Sequence, residues 1–306
     1  MTKGQIERNV TLDYFKIFLS LLVITIHLRP IFGPGLKSAM LADGIARIAV
    51  PCFFIINGYY FANKAGSFKA VKKYLGHLLL IYLVWSLIYS PYYYSSGFLG
   101  ILETLVFGYS HLWYVIGLII GIIVLVSLKK VIKNDTVLLM IGIGLFITGH
   151  FLEPMRDALY FVRNGLTFGF PFIMIGYYLK VKNVSETIKE KYLVPVLLLS
   201  FIFLLIESYF AHQREFVSDM FLSLLFLCPA IFLYIMKHSS YKPDSIYVNY
   251  LGSMASAIYF VHLLVIYNLS VFSDKLLIYK FPFVVLLSVL LSIVIIFVNK
   301  RIKIFL

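Results

Sequence analysis

Long apolar runs dominate this sequence, at residues 11–32, 41–63, 70–92, 111–128, 136–152, 159–180, 192–211, 216–236, 249–271 and 279–299. A helix needs about 20 mostly apolar residues to cross the hydrocarbon core of a bilayer. In lipid every backbone N–H and C=O must find its partner inside the protein, so a crossing segment is a helix or a strand of a closed barrel. Barrel strands alternate apolar and polar residues over about ten positions, whereas these runs are longer and continuously apolar. The expected fold is therefore all-α: a polytopic transmembrane helix bundle of about ten spans, forming a single domain over residues 1–306. The breaks between runs hold residues that end helices or stay in water, such as GPG at 33–35, KKVIKND at 129–135, KVKNVSETIKEK at 180–191 and KHSSYKPD at 237–244.

Only 13% of the residues are charged, about half of what a soluble domain carries, so lipid must be the solvent for most of the surface. The formal net charge of +13 would suggest nucleic acid in a soluble protein. Here the cations sit in short loops between apolar runs, where they set membrane orientation. No cationic block interleaved with aromatics offers a nucleic-acid surface, and no nucleic-acid partner is expected. With the N-terminus inside and an even number of spans, 19 of the 27 Lys and Arg residues fall on the cytoplasmic side. This predicts cytoplasmic termini and a multi-pass protein of the plasma (inner) membrane. Lys3 and Arg8 precede a long apolar run without a small-residue cleavage site, so no signal peptide is expected. Cys52 and Cys228 lie far apart in apolar runs and read as buried free thiols.

An ionisable group inside the bilayer costs at least about 3 kcal/mol, so those that persist usually face a cavity or a partner. Lys16 and His27 are eleven positions apart in the first run, which is about 16 Å and close to three helical turns. They share a face and mark its two ends. Either they line one path, with His27 doing proton chemistry and Lys16 meeting an anion, or His27 bonds a neighbouring helix and Lys16 snorkels. Arg163 and Asn164 open the sixth run in RNGLTFGFPF, where an arginine can clamp a carboxylate or phosphate or meet lipid phosphates. Arg47 begins the second run in the same way. Asn57-Gly58 interrupts that run and suits close helix packing. Tyr59, Trp113 and Tyr114 sit where aromatic belts form. Among the histidines His111, His150, His212 and His262, only His262 lies well inside a run, and no pair has the local spacing of a metal site, so no metal is expected. Glu153 and Glu207 stand at outer ends, able to orient a histidine or pair with Arg156 or Arg163. Walker, GxGxxG and GxSxG motifs are absent.

Four segments together resemble a family. LDYFKIFLSLLVITIHL is similar to the opening of the acyltransferase family 3 membrane proteins, LDxLR followed by ten residues and a histidine, with Lys16 at the arginine position and His27 at the histidine. VPCFFIINGYYF resembles the family's PFFFxxSGYF, with Asn57 replacing serine. HLWYVIGLI at 111–119 resembles HLWFLPALL, and IYFVHLL at 258–264 resembles the late YLxH segment. The resemblance covers nearly the whole chain. ARIAVPCFFIINGYYF and VRNGLTFGFPFIMIGYYL are closer still to the membrane domain of the serine racemases of vancomycin-resistance clusters. In that branch a soluble racemase domain follows the last span, and too few residues follow Arg301 here to form one. The family's RxxR at the start of the third span is also missing: Tyr74 and His77 stand there, just after Lys72 and Lys73.

The resemblance implies an O-acyltransferase, without a bound cofactor, that moves an acyl group, acetyl in the first instance. The donor would be cytoplasmic acyl-CoA (acetyl-CoA) and the acceptor a hydroxyl of a cell-envelope glycan or small molecule. An alcohol needs a base to become a nucleophile, and imidazole has a suitable pKa. His27 would be that base, joined by Lys16 and Asn164 in the catalytic group. Lys72, Lys73 and His77 would hold the donor. Arg163, Arg47, Asn57, Tyr59, Trp113, Tyr114 and His262 would hold the acceptor and its developing oxyanion. The racemase-linked branch implies a rival reading, a carrier for L-serine or a similar small amino acid, with Arg163 on the carboxylate and Asn57 on the side chain. A membrane-anchored assembly module is a third reading, resting on the missing RxxR. The bilayer, acyl-CoA and the acceptor are the expected partners, and the oligomeric state stays open.

Overall fold

Apolar runs bounded by caps and cations become helices α1 Val10–His27, α2 Ala49–Phe61, α3 Phe68–Tyr89, α4 Gly97–Phe107, α5 Trp113–Val131, α6 Asp135–Leu152, α7 Phe170–Val181, α8 Glu190–Gln213, α9 Leu224–Lys237, α10 Ile246–Asn268 and α11 Leu277–Ile302. The computed structural model describes residues 7–154, 163–243, 246–269 and 277–306. Asn9 caps α1 by accepting from Leu12 N at 2.9 Å, Ser67 caps α3, and Asn134 caps α6 by accepting from Thr136 N at 2.9 Å. Each side chain satisfies an N–H that has no partner within its helix. Among the described residues eight helical segments have the length and composition to cross a membrane, so the expected polytopic all-α fold is what the chain adopts. The second of these starts at Leu36 and reaches α2 through a π-helical turn at Ala39–Gly44 and a 3-10 turn at Ile45–Ile48.

A short antiparallel ladder, β1 Glu7–Asn9 on β2 Tyr241–Pro243, ties the start of α1 to the chain just beyond α9. This ladder marks one end of the bundle. Cations in the last turns of α7 and α11 gather there: Lys180 lies 5.0 Å from the Tyr59 ring at the end of α2, and Lys300 lies 3.8 Å from the Tyr250 ring at the start of α10. α5 ends at the same level, with Lys129 4.5 Å from the Tyr177 ring. Cations at helix C-termini complement the macrodipole. α6, α8 and α11 bury few of their residues and form the outer, lipid-facing part of the bundle, while α2 is the most enclosed.

Two expected runs become shorter helices. The run at 159–180 appears as Gly165–Val181, while residues 155–162 lie outside the described set. The run at 216–236 is not one helix, because helix begins only at Leu224. The preceding stretch enters the bundle as irregular backbone, with Ser218, Asp219, Met220 and Phe221 buried. Such backbone survives at membrane depth only where protein satisfies its polar groups, and two carboxylates do so. Glu153 accepts from Asp219 N at 2.6 Å and from the Ser218 hydroxyl at 2.5 Å. Glu207 accepts from Leu222 N and Ser223 N, both at 2.9 Å. The sequence offered histidine or arginine partners for these acids; instead they hold this loop. A further helix, α4, stands where the sequence suggested a loop. It has no buried residue and leans on α3 through a bond from the Tyr82 hydroxyl to Leu105 O at 2.8 Å.

The tightest helix crossing is that of α2 with α7. A Cβ added at Gly58 would overlap the Ile173 carbonyl, and one at Gly176 would overlap the Ile55 carbonyl. Each glycine therefore lets the other helix's backbone approach, the small-residue mode of packing that helices use in lipid. Phe54, Ile55, Phe172 and Ile173, all fully buried, surround the crossing. Cys52 and Cys228 are both buried free thiols.

Candidate functional site

Lys16 and His27 open on different cavities. His27 ends α1 and lines a cavity of about 210 Å³ at the end of the bundle opposite the ladder, the far end. Lys16 lines one of about 300 Å³ reached from the ladder end. Tyr259 of α10 lines both. Its ring lies 5.5 Å from that of Tyr114 and 6.2 Å from that of Phe53, so a single layer of aromatic rings divides the two spaces.

The far-end cavity collects cations from segments distant in sequence. Arg47 comes from the 3-10 turn before α2, Arg163 from the chain before Gly165–Gly169, and Arg29 from just beyond α1. Asp219, on the inserted loop, pairs with both Arg47 and Arg163. Asp43 pairs with Arg29 at 2.5 Å and with Arg47 at 3.1 Å. Burial pushes the Asp219 carboxyl up, but the Arg47 and Arg163 guanidiniums outweigh that and hold it below the usual carboxylate range. For Glu153 burial wins: its pKa is raised in spite of the bonds it accepts from Ser218 and Asp219.

Beside this cavity three imidazoles meet. The His262 ring lies 5.1 Å from that of His27 and 5.1 Å from that of His111. His262 and His111 are both buried. The Tyr259 hydroxyl donates to the His111 carbonyl, fixing the septum to the start of α5. His262 Nδ1 is 2.6 Å from Tyr259 O; a carbonyl only accepts, so Nδ1 carries the proton and the neutral ring presents its lone pair at Nε2. No group of three His, Cys, Asp or Glu among the described residues is arranged to hold a metal ion.

At the ladder end Asn57 organises the cavity wall. Its Nδ2 donates to Phe53 O at 2.9 Å and to the Tyr114 hydroxyl at 2.8 Å, while the Tyr74 hydroxyl donates to its Oδ1 at 2.9 Å. Lys64 lies 4.6 Å from the Tyr74 ring centre. Lys16 pairs with Asp13 at 2.5 Å and also lines a neighbouring space with Arg8, Tyr59 and Lys180. The mouth is thus ringed by Arg8, Lys16, Lys64 and Lys180.

The expected site residues are divided accordingly. Arg47, Arg163 and Trp113 share the far-end cavity with His27. Asn57 and Tyr114 are in the ladder-end cavity, and Tyr59 is at its mouth. His262 stands behind His27. Asn164 lines neither; its Oδ1 accepts from Leu166 N at 2.6 Å and Thr167 N at 3.0 Å, capping the turn that follows Arg163. Lys72, Lys73 and His77 are not brought to either cavity. α3 turns Tyr74, Leu78 and Ile81 inward, and residues between those positions on a helix face away, leaving all three exposed. Lys16 and Lys64 occupy the place expected for them. Sequence reasoning gave no role to Asp219 or Tyr259, and it named His111 without assigning it one. Asp219 was the one with a signal, an acid inside an apolar run.

A family described as an acyltransferase domain, Acyl_transf_3, matches residues 9–297. The chain is 27% identical over 291 residues to an amino-acid racemase of Enterococcus faecalis, a match covering 83% of this chain and 40% of that protein. It is 31% identical over 236 residues to a serine/alanine racemase of Enterococcus gallinarum, covering 67% of this chain and 34% of that one. The chain therefore spans less than half the length of these curated relatives. No solved structure matches.

Proposed function

Because the chain belongs to the Acyl_transf_3 acyltransferase domain family and is a multi-pass protein of the plasma membrane, we propose that it transfers an acyl group, acetyl in the first instance, from acyl-CoA to a hydroxyl held beside His27. The observation that carries this reading is the pair of cavities meeting at Tyr259, one ringed by cations and the other lined by His27. Arg8, Lys16, Lys64 and Lys180 suit the phosphates of a CoA thioester, since charge-assisted bonds to phosphate are the strong ones. His27 takes the acceptor's hydroxyl proton, the freed oxygen attacks the thioester carbonyl, and the C–S bond breaks to release the CoA thiolate, which is then protonated. Trp113 offers a ring face to an acceptor. The cation-rich ladder end is cytoplasmic in this reading, where acyl-CoA is found.

Purified full-length chain in nanodiscs, given acetyl-CoA labelled in the acetyl group, is expected to release free CoA and to yield a labelled product with a hydroxyl acceptor. Complete protection of the thioester with every acceptor tried would end the acyl-transfer reading. Orientation has its own check. In a background lacking Cys52 and Cys228, cysteines at exposed Lys133 and Lys182 should resist a membrane-impermeant thiol reagent added to intact cells, and one at exposed Tyr94 should react. Reaction at Lys182 would reverse the assigned sides.

The racemase names of the relatives favour a second reading, in which the far-end arginines hold the carboxylate of a small amino acid that is carried across. That reading needs the Tyr259 layer to open during the cycle and yields no acyl product.

A further inference from the structure

Asn57 joins two phenols in a string of hydrogen bonds that can run only one way. The Phe53 carbonyl only accepts, so the Asn57 atom 2.9 Å from it is the amide nitrogen. The amide oxygen is then the atom that meets the Tyr74 hydroxyl, which donates to it at 2.9 Å. The second bond of the amide nitrogen, 2.8 Å long, reaches the Tyr114 oxygen. An amide nitrogen donates and does not accept, so Tyr114 accepts here. A phenol also carries one proton of its own. The bond from Asn57 is the one hydrogen bond of the Tyr114 hydroxyl among the described residues, so that proton has no acceptor there. Tyr114 is buried, and a buried donor without an acceptor is costly.

Position says what the proton is for. Tyr74, Asn57 and Tyr114 all line the ladder-end cavity of about 300 Å³, and Tyr114 does not line the far-end one. Its ring is part of the layer at Tyr259. The string therefore ends at the inner limit of the ladder-end cavity, against the layer that a reacting group has to meet. Among the described residues no Asp or Glu lines this cavity; Ile81, Leu118 and Phe260 make its wall apolar, and Lys16 and Lys64 are its cations. Such a space suits a ligand with an anionic end, a slender uncharged stem and an acceptor atom at the inner tip. A thioester carried on phosphates has that form, and its carbonyl oxygen gains negative charge when the carbon is attacked.

Resting on the acyl-transfer reading, we propose that Tyr114 is the residue that stabilises the oxyanion, its O–H donating to the thioester carbonyl oxygen and held in that direction by the bond from Asn57. The proton stays on Tyr114 throughout. As the acceptor's oxygen adds to the carbonyl carbon, the C=O electron pair moves onto the carbonyl oxygen and the bond from Tyr114 strengthens. The pair returns when the C–S bond breaks and the sulfur leaves as thiolate. Tyr114 then serves the donor rather than the acceptor.

The test is Tyr114→Phe, which keeps the ring in the layer and deletes the donor. In the full chain in nanodiscs, with acetyl-CoA and a hydroxyl acceptor that gives product with the wild type, kcat should fall about 10²–10³-fold, the usual cost of one oxyanion donor. KM for acetyl-CoA should stay close to that of the wild type, because the bond strengthens only in the transition state. A second readout needs no turnover: the infrared stretch of acetyl-CoA isotope-labelled at the acetyl carbonyl, bound to His27→Ala. It should lie below that of free acetyl-CoA and move back up when Tyr114→Phe is added. If Tyr114→Phe alone loses folded yield because an Asn57 N–H is left unpaired, Asn57→Ala becomes the background, and adding Tyr114→Phe to it should still cost about tenfold or more in kcat. Unchanged kcat on loss of the hydroxyl, an unmoved carbonyl stretch, or a rise in KM with kcat intact would each overturn the inference and leave acyl transfer in place. Wild-type protein that leaves acetyl-CoA intact with every acceptor would instead end the acyl-transfer reading, and this inference with it.

Discussion

His27→Ala should lower acyl transfer about 10²–10⁴-fold, the usual contribution of a positioned general base, while the protein stays folded and monodisperse. His27 is half-buried at the end of α1, and its ring lies 5.1 Å from that of His262. Truncation there removes little packing, so a large loss of rate with intact protein would come from chemistry. Lys16→Ala is the contrasting variant. It removes one cation of the ladder-end mouth, so it should raise KM for the donor and leave kcat nearly unchanged, because His27 lies beyond the Tyr259 layer. The carrier reading predicts a different pattern, with uptake altered in His27→Ala and no acyl product from either protein. Full transfer activity in His27→Ala would take His27 out of the mechanism.

Gly58→Leu should cost most or all of the folded yield, measured as the monodisperse fraction in detergent. The clash involves the Cβ itself against the Ile173 backbone carbonyl, so no rotamer relieves it and α2 must move away from α7. Overpacking that side chains absorb costs about 1–3 kcal/mol; separating two backbones at a core crossing exceeds that. The neighbouring Asn57→Ala is the control. It deletes bonds to Phe53, Tyr114 and Tyr74, each worth about 1 kcal/mol net, and leaves the crossing intact. Equal wild-type yields from both variants would show that the crossing tolerates a side chain.

The spans were legible in the sequence because lipid imposes length and apolarity on every crossing segment. The loop carrying Asp219 was not. Hydropathy averages over a window, and the few polar groups of REFVSD disappear among Phe216, Val217, Met220 and Phe221. Glu153, Glu207 and His150, which precede it in the chain, make irregular backbone tolerable there by bonding its N–H and C=O groups. The imidazole cluster was hidden for a different reason. His111 and His262 are far apart in the chain, and they meet because α5 starts and α10 ends at the far end, a consequence of span parity and packing order. His27 and Lys16 could be placed at the two ends of one helix from the sequence, since helical spacing within one segment is local; the aromatic layer between them depends on α2, α5 and α10 together. Lys72, Lys73 and His77 were placed from the family's missing motif, and the rotation of α3 about its axis, which no local pattern gave, leaves them exposed and outside both cavities.

The thinness of the layer at Tyr259 bears on how an energised membrane acts on the molecule. Voltage falls mainly across what water does not reach. In plain bilayer that is about 30 Å of hydrocarbon, but where aqueous cavities enter from both ends it is the rings of Tyr259, Tyr114 and Phe53. One elementary charge crossing 100 mV involves about 2.3 kcal/mol, so nearly all of that work would be done within this one layer. The CoA phosphates stay on the ladder side, the proton taken by His27 leaves from the far side, and the CoA thiolate takes up a proton on the ladder side. Each acyl transfer therefore moves one elementary charge across the layer, and its rate should change when the membrane potential collapses.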